Sequence, residues 1–380
     1  MASLINRPDN LHIRHRNFTG LQKKVHIDNY TEMNRFMITV LLVYLMIVLI
    51  GYICFQEYFS ITTVHLQYDN IKDRGKIDFN PDEDVLTEKN DFNPDEDVLV
   101  ILHIQKTGGS VFNSHLVNDL SSKIPCNCSL KLNKYYRCKC FTGNGNLPVF
   151  SPYSADWICG VHPYWTDLQE CLEKAMDILE QKHRQRKFHY ITMVRNPISR
   201  YLSELAHMQS HQFKTWRKVT RLLCNGKYAN QDEVPYCYQG DAWENVDLQS
   251  FTNCEYNLAH NRQTRMLADM KKVNCYNKTT MSEVERNKIM LQSAKENLVN
   301  LDFFGLTEYQ KETQILFEHK FNIKFDQDFV LKNYTVIKQN EISEFEKNMA
   351  LSRNKLDIQL YSFAKSVFFK RIDFIRNMKN

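Results

Sequence analysis

Apolar runs of different lengths divide the chain into segments with different structural expectations. The longest, residues 36–55, contains no charged residue and, at ~1.5 Å per helical residue, is long enough to span roughly 30 Å of bilayer hydrocarbon. Shorter runs rich in apolar residues occur at 98–102, 188–194 and 302–305, and segments with a helical period follow them. We therefore expect one membrane-spanning helix, followed by a folded domain of buried strands and amphipathic helices.

The folded domain is predicted to be an α/β protein with a central parallel sheet flanked by helices. Strands are predicted at 97–104, 188–194 and 302–305. The predicted helices lie at about 109–120, 166–186, 283–299 and 307–319, with others opening at Pro197 and after residue 340. Because strands alternate with helices, the sheet should be parallel, and its ligands should bind beyond the carboxyl ends of the strands.

Charges around the long apolar run predict its orientation. Residues 1–35 carry six Lys or Arg side chains and three acidic ones, so the positive-inside rule places this tail in the cytosol. The run begins too far into the chain and is too long for a cleaved signal peptide, so residues 36–55 are interpreted as a transmembrane signal-anchor. Residues 56–94 are polar and acidic, which is typical of a lumenal stem, and the catalytic domain would occupy residues 95–380.

Cysteine usage indicates an oxidising compartment. Of the eleven cysteines, Cys54 lies in the apolar run and ten follow it, an even number that favours disulfides. The C-x-C pairs leave zinc as a less favoured alternative, because they are tighter than most zinc-site spacings; they are Cys126 with Cys128 and Cys138 with Cys140. The sequons on the same side of the membrane, which can be glycosylated, begin at Asn127, Asn277 and Asn333.

The charge balance leaves little net charge for a polyanion partner. The formal net charge is +5, residues 1–35 contribute +3 (six minus three) and residues 36–55 contribute none, which leaves about +2 beyond the anchor. Any polyanion must therefore be met by local basic patches, and we expect no nucleic-acid partner. Candidate patches are the run 182–187 and the set Lys214, Arg217, Lys218 and Arg221. A solvated helix face explains either patch at least as well.

The segment at 103–110, HIQKTGGS, follows the first predicted strand and has the composition of an anion-binding loop. Its two glycines let the backbone wrap closely around a phosphate, Thr107 and Ser110 offer hydroxyl donors, and Lys106 offers a positive charge. The order differs from the nucleoside-triphosphatase pattern G-x-x-x-x-G-K-[ST], in which the lysine follows the glycines.

A second anion site is predicted where the strand at 188–194 ends. Arg195 stands at the strand end, and Ser203 follows a little over two helical turns later, in a helix whose positive end favours anions. Two anion sites on neighbouring strands suit a nucleotide that is phosphorylated at two places. They suit a magnesium triphosphate poorly, because no acidic residue ends the second strand, and we expect no metal.

Several long segments resemble the heparan sulfate 6-O-sulfotransferases, in the same order and over nearly all of residues 95–370. The segments are HIQKTGGS, DWICGVHPYW, FHYITMVRNPISRYLSEL, YNLAHNRQTRMLADM and FFGLTEYQ. The resemblance implies a P-loop-like sulfotransferase fold with 3'-phosphoadenylyl sulfate (PAPS) as the sulfate donor. It implies that Arg195 and Ser203 bind the 3'-phosphate. The residues that it places around the 5'-phosphosulfate are His103, Ile104, Gln105, Lys106, Thr107, Gly108, Gly109, Ser110 and Val111.

The resemblance also implies roles for residues on the acceptor side. His162 would be the general base that takes the proton of the sugar 6-hydroxyl, with an ionisation at about pH 6 to 7, the usual imidazole range. Lys106 would stabilise the leaving phosphate. The residues that match sugar-contacting positions are Trp157, His162, His207 and Trp216.

The chain departs from the family pattern at three places. Pro152 stands where the family has an arginine that faces the acidic polymer, and Tyr136 and Arg137 stand where it has two lysines. Asn196 replaces an aspartate directly after Arg195, which leaves the arginine itself in place. Two of the three departures therefore concern how the polymer is held.

The predicted function is transfer of sulfate from PAPS to the 6-hydroxyl of N-sulfoglucosamine residues in heparan sulfate. The predicted location is the Golgi membrane, with single-pass type II topology and a lumenal catalytic domain. Two alternatives are a catalytically inactive membrane protein that binds glycosaminoglycan and a P-loop kinase or NTPase. The sequence leaves the disulfide connectivity, the preferred uronic acid neighbour and the oligomeric state open.

Overall fold

The structure is a computed structural model, and it describes most of the region downstream of residue 90. The described residues are 37–49, 51, 91–120, 124–130, 136–156, 158–160, 162–209, 222–237, 246–330 and 343–378. The chain divides into two compact units, 1–81 and 82–380, and each is considered by itself.

The described part of the first unit is helix α1, residues 37–49, together with residue 51. It lies within the apolar run 36–55 that the sequence predicts as a membrane anchor. Within the residues that the structure describes, no helix is both long and apolar enough to span a membrane. The stem predicted at 56–94 lies outside the described residues up to residue 90.

The second unit contains a four-stranded parallel sheet, as the sequence predicts. The strands are β1 (Asp97–Leu102), β2 (Asn127–Leu130), β3 (Tyr136–Lys139), β4 (Val149–Phe150), β5 (Lys187–Val194), β6 (Leu223–Cys224), β7 (Lys227–Tyr228) and β8 (Phe303–Leu306). The sheet has the order β4-β1-β5-β8, and each neighbouring pair in it is parallel. Two antiparallel hairpins, β2-β3 and β6-β7, lie outside it. The α/β prediction is therefore confirmed, although β4 was not predicted.

Helices follow the strands of the sheet in alternation. They are α2 (Gly109–Asn118), α3 (Trp165–Glu180), α4 (Pro197–Gln209), α5 (Leu248–Asn253), α6 (Arg262–Leu267), α7 (Glu283–Asn300), α8 (Gln310–Phe321), α9 (Glu344–Arg353) and α10 (Lys355–Asn377), with a 3₁₀ turn at Met270–Val273. Pro197 is the first residue of α4, where its missing N–H is harmless. Helix α3 ends six residues before its predicted boundary of 186, because Gln181 adopts a left-handed backbone with φ of 54°.

The central strands form a nearly continuous buried apolar layer. Every residue of β1 is buried, and its six residues pair in register with β5, from Asp97 opposite Lys187 to Leu102 opposite Thr192. A parallel sheet covered by helices on both faces requires such apolar runs. The pattern that predicts these strands from the sequence is thus a direct consequence of burial on both faces.

The start of the folded core lies in a repeated segment, DFNPDEDVL, which occurs at 78–86 and 91–99. In the second copy, Phe92 is buried, and its ring lies 6.4 Å from the rings of His189 and Phe321. The backbone N–H of Asn93 donates to the carboxylate of Asp97 at 2.7 Å. The first copy lies outside the described residues.

All ten cysteines that follow the apolar run form disulfides, which confirms the disulfide prediction. The pairs are Cys126–Cys140, Cys128–Cys138, Cys159–Cys171, Cys224–Cys275 and Cys237–Cys254. The first two pairs join β2 to β3 on either side of one turn, so the zinc alternative for these four cysteines is wrong.

The basic run 182–187 is largely neutralised by acidic residues of α3. The Arg186 side chain is fully buried and pairs with Asp177 at 2.7 Å and with Glu180 at 2.9 Å. Arg184 pairs with Glu180 as well, at 2.9 Å. The two arginines of this run therefore belong to an intramolecular ion-pair network, whereas Lys182 and Lys187 are exposed. The second candidate patch lies outside the described residues.

A buried charge cluster joins α4, α6 and α10. The carboxylate of Glu204 pairs with the guanidinium groups of Arg200 and Arg262, and Arg200 lies 3.9 Å from Asp357. Asp357 also accepts hydrogen bonds from the first turn of α6, including one from the Thr264 N–H at 2.8 Å. Burial raises the pKa of Glu204, but the charges of Arg262 and Arg200 outweigh burial and hold it at about 2.

Gly305 in β8 is the tightest glycine of the sheet, and its replacement tests the packing. A Cβ there would lie 2.4 Å from Thr313 Cγ2 and 2.6 Å from Met193 Sδ. We expect Gly305→Ala to lower the free energy of unfolding by about 1–3 kcal/mol through overpacking, measured by urea denaturation. Gly143→Ala is the matched control, because a Cβ there meets nothing within 4 Å. Equal stability of the two variants would contradict the packing described here.

Glu204→Gln should destabilise the protein by about 3–5 kcal/mol at neutral pH, because it removes the nearest counter-charge of two buried arginines, Arg200 and Arg262. The pKa of Glu204 falls from 4.5 to about 2 on folding, so its stabilisation is complete above pH 4.5 and is lost as pH falls towards 2. Urea denaturation across this window should show a weaker acid dependence in the variant. The exposed Glu344, which pairs with Lys347, supplies the control Glu344→Gln; a similar loss there would contradict the assignment.

Candidate active site

Three strands of the sheet end at one edge, and hydrogen bonds between their exit loops fix that edge. The Thr307 hydroxyl, directly after β8, lies 2.5 Å from the carbonyl oxygen of Thr107 and 3.1 Å from that of Val194. The Thr192 hydroxyl donates to the Leu102 carbonyl at 2.7 Å. The loops that follow β1, β5 and β8 are therefore held together, as expected for a ligand site at the carboxyl ends of parallel strands.

The loop after β1 has the backbone of an anion cradle. Lys106 and Gly108 both adopt left-handed conformations, with φ of 65° and 78°, and α2 begins directly afterwards, at Gly109. A Cβ at Gly109 would lie 2.3 Å from the His103 ring, so only glycine lets the helix start this close to that ring. The first N–H groups of α2 thus point out of a tightly wrapped loop.

The side chains of this loop fall into two groups. Ile104 and Thr107 are completely buried, and the Thr107 hydroxyl donates to the Ile104 carbonyl at 2.9 Å, so it shapes the loop rather than pointing a donor at a ligand as predicted. Ser110 is exposed, and Val111 is half-buried. His103 and Gln105 are buried, and neither His103 Nδ1 nor Gln105 Oε1 has a hydrogen-bond partner among the described residues.

Arg195, directly after β5, links this strand to the loop that follows β1. Its Nη1 donates to the Lys106 carbonyl at 2.9 Å. The Gln263 side chain fixes its backbone, accepting from Arg195 N and donating to Arg195 O, both at 2.9 Å. Burial lowers the pKa of Arg195, the charge of Glu308 raises it and Arg200 lowers it further. Ser203 is buried on α4, the helix that opens just after Arg195.

His162 lies against the first loop although 59 residues separate it from His103. Its Nδ1 is 3.0 Å from the His103 carbonyl oxygen, and the two rings are 4.7 Å apart. Because a carbonyl only accepts hydrogen bonds, Nδ1 carries the proton and Nε2 carries the lone pair. Burial lowers the pKa of His162 well below its usual value, and the nearby His103 and Arg262 lower it further, although the hydrogen bond to the His103 carbonyl raises it.

The charge of Glu204 acts on the pKa values of both Lys106 and His207. Burial lowers the pKa of Lys106, Glu204 raises it and Arg195 lowers it. Burial also lowers the pKa of His207 to about 4, with the Lys106 charge as the next cause. The pKa of His103 falls to about 4 for the same two reasons. The histidines around Lys106 are therefore neutral near pH 7.

The structure thus brings the first loop, Arg195 and His162 together, and the His207 pKa responds to the Lys106 charge. The predicted sugar-contacting residues Trp157 and Trp216 lie outside the described residues. Within the described ranges, no group of three or more His, Cys, Asp or Glu side chains is arranged to hold a metal ion.

Two residues that organise the site were not predicted. Thr307 and Gln263 lie in the segments FFGLTEYQ and YNLAHNRQTRMLADM, which the resemblance includes without giving these residues a role. Gln263 is fully buried, and both residues act on backbone groups of distant loops. The position of Thr307, a hydroxyl residue directly after a buried strand, could have indicated a place in the site. The sequence offers no comparable signal for Gln263.

Comparison with known proteins identifies the family. The sulfotransferase family model matches residues 91–364. The chain is 46% identical over 279 residues to heparan-sulfate 6-O-sulfotransferase 3-B of Danio rerio, covering 73% of this chain and 65% of that protein. It is 45% identical over 286 residues to heparan-sulfate 6-O-sulfotransferase 3 of Homo sapiens, covering 74% and 59%. Human heparan-sulfate 6-O-sulfotransferase 1 is 42% identical over 284 residues, covering 74% and 68%.

The chain spans less than two thirds of the length of the first two of these relatives. The family model nevertheless covers well over half of the chain, including both anion-site loops, His162 and the whole parallel sheet. The chain therefore belongs to the sulfotransferase family.

Proposed function

We propose that this chain transfers sulfate from PAPS to the 6-hydroxyl of N-sulfoglucosamine residues in heparan sulfate. The observation that carries the proposal is the hydrogen bond between His162 and the carbonyl of His103, the first residue of the anion loop. It sets a neutral base beside the place where an activated sulfate would lie. The relatives named above act as heparan-sulfate 6-O-sulfotransferases, which supports the acceptor and the position.

The residues of the site fit PAPS as the donor. The glycines at 108 and 109 let the loop pack closely against Thr307 and His103, and the start of α2 at Gly109 offers backbone N–H groups to a phosphate. Arg195 provides a buried guanidinium for the second phosphate. When bound, PAPS would supply an activated sulfonate with a phosphate leaving group. The residues that would hold it are the loop 103–111, Arg195 and Ser203.

The chain's own residues would then perform two tasks. His162 Nε2 removes the proton of the acceptor hydroxyl, so that the oxygen gains nucleophilicity as it attacks. Lys106 places its charge near the leaving phosphate oxygen, where negative charge grows during transfer. Partial burial of Lys106 strengthens this interaction, because water screens it less. On the acceptor side, Trp157, His207 and Trp216 are proposed to contact the sugar chain.

A labelled-transfer assay tests the proposed function. Purified full-length protein is incubated with ³⁵S-labelled PAPS and N-sulfated, O-desulfated heparan, and the product is analysed as disaccharides. We expect the label on the 6-hydroxyl of glucosamine. Label at another position would contradict the acceptor assignment. Transfer from labelled ATP instead would favour the kinase reading, while polymer binding without any transfer would favour an inactive glycosaminoglycan-binding protein.

Replacement of His162 tests its role as the base. His162→Ala should lower turnover by roughly 10² to 10⁴ and leave binding of 3',5'-adenosine bisphosphate (PAP) near the wild-type level, because the groups proposed to bind its phosphates belong to other residues. Since burial lowers the pKa of His162, the rise of kcat/KM with pH should lie below the usual imidazole range of about 6 to 7. His183, which is mostly exposed, supplies the control His183→Ala. Residual activity with an unchanged pH profile would show that His162 is merely structural.

Lys106 and Arg195 should respond differently to replacement. Arg195→Ala removes a charge-assisted partner of the 3'-phosphate, so PAP affinity should fall by about 1.5–3 kcal/mol, measured by calorimetry. Lys106→Ala removes a charge that matters most in the transition state, so kcat should fall more than PAP affinity. Because Arg195 also bonds the Lys106 carbonyl, Arg195→Lys is the control that keeps the charge. Equal effects of the two alanine variants on binding and turnover would contradict this division.

The proposed setting is the Golgi membrane, with residues 36–55 as a signal-anchor and the second unit in the lumen. The basic flank of residues 1–35 and the disulfides of the second unit support this topology. Glycosidase treatment should change the mobility of the protein, through glycans at the sequons of Asn127, Asn277 or Asn333. Protease added to sealed vesicles should remove only the N-terminal tail. Protection of that tail would contradict type II topology.

A further inference from the structure

An exposed ion pair lies between the β2-β3 hairpin and the loop that leads to His162. Arg137 Nε is 2.9 Å from Asp156 Oδ1, and the two side chains are 55% and 58% exposed. Both groups are therefore accessible to a large ligand as well as to each other. Exposed pairs of this kind are weak, so an anionic ligand can compete with Asp156 for Arg137.

The pair is held on a rigid support. Two disulfides close the hairpin that carries Arg137, and the Cys138 N–H donates to the Tyr153 carbonyl at 2.9 Å. The Tyr153 hydroxyl in turn donates to the Ser110 carbonyl at 3.4 Å. These contacts connect the hairpin to the loop at 151–156 and connect that loop to the first turn of α2. Arg137 and Asp156 thus belong to the same rim of the molecule as the anion loop.

The backbone at Asp156 is unusual for a residue with a side chain. Its φ is 46°, in the left-handed region that glycine adopts freely and that other residues adopt at a cost. Aspartate adopts this region more readily than most residues. That preference does not explain why its carboxylate pairs with Arg137. Asp156 stands six residues before His162, on a segment that the Cys159–Cys171 disulfide joins to α3. A negative charge therefore lies close in sequence to the proposed base.

A carboxylate at this position opposes the binding of a polyanion. The proposed acceptor carries sulfate and carboxylate groups along its length, and the planar fork of an arginine binds such groups well. Asp156 occupies the Nε edge of Arg137 and adds a like charge that repels the acceptor. The net effect on affinity should grow with the number of sulfates that the acceptor presents near Arg137.

We propose that Asp156 is a specificity-determining residue that competes with the acceptor for Arg137 and selects against densely sulfated segments. This inference rests on the proposed function, because it takes heparan sulfate as the acceptor. It assigns acceptor choice to a residue outside the anion loops and apart from the base. In the absence of the polymer, the Arg137 guanidinium is neutralised by Asp156. In its presence, the polymer must displace that carboxylate.

The experiment compares the full-length protein with Asp156→Asn, Arg137→Gln and the double variant. We expect Asp156→Asn to lower the KM for N-sulfated acceptor roughly two- to fivefold at low salt, and by more for an acceptor that also carries O-sulfates. The kcat and the PAP affinity should not change. The effect should shrink at higher ionic strength because exposed charges are screened. In the Arg137→Gln background, Asp156→Asn should have a much smaller effect on KM, because only the direct repulsion between Asp156 and the acceptor remains.

The matched control is Asp373→Asn, which breaks another exposed Asp–Arg pair, with Arg376, at 3.6 Å. It should leave KM unchanged. The proposal is overturned if Asp156→Asn leaves KM unchanged or raises it, or if its effect is equally large in the Arg137→Gln background. A parallel readout, the salt concentration that elutes each variant from immobilised heparin, needs no turnover. If the wild type transfers no sulfate, the proposed function fails, whereas elution at higher salt for Asp156→Asn still supports competition for Arg137.

Discussion

The site depends on the constraint that parallel strands deliver their carboxyl ends to one edge of the sheet. The Thr307 hydroxyl donates to the Thr107 carbonyl and the Thr307 N–H donates to the Val194 carbonyl. These bonds tie together the exits of β1, β5 and β8, and Arg195 adds a bond to the Lys106 carbonyl. Because these bonds involve backbone carbonyls, they fix where the loops run and leave side chains such as Lys106 available. The two loops that are proposed to bind anions are therefore fixed relative to each other by the protein itself.

Burial sets the protonation states at this edge. Low polarity around Lys106 and the histidines disfavours additional positive charge, so His103 and His207 have a pKa of about 4. A base must be neutral to accept a proton, and a cation must stay charged to stabilise a phosphate. Glu204, held ionised by two arginines, helps to meet the second requirement by raising the pKa of Lys106. The buried cluster of Glu204, Arg200 and Arg262 therefore stabilises the fold and also favours the charged form of Lys106.

The sequence predicted those features that depend on local pattern. The strands β1, β5 and β8 follow from apolar runs that a parallel sheet must bury on both faces, and the first loop follows from its glycines and lysine.

The segment β4 was missed because Val149 and Phe150 are too few to show a period. The role of Gln263 was missed because its contacts with Arg195 cross 68 residues. The ion pairs of Arg184 and Arg186 were not predicted either, because their acidic partners lie on a packed helix that periodicity alone does not orient. His162 was placed by resemblance, because a single histidine carries no spacing signal of its own.

The five disulfides are distributed unevenly over the molecule, and this has a consequence for its redox behaviour. The strands β1, β5 and β8 and the anion loops contain no cysteine, so their geometry rests on packing and hydrogen bonds alone. The hairpin of Arg137 and the segment of His162 are instead held by cystines. Thiol reductants should therefore disturb the hairpin of Arg137 and the segment of His162 while leaving the loops after β1 and β5 in place. Under the proposed function, the acceptor side of the site would be sensitive to reduction and the nucleotide side would not.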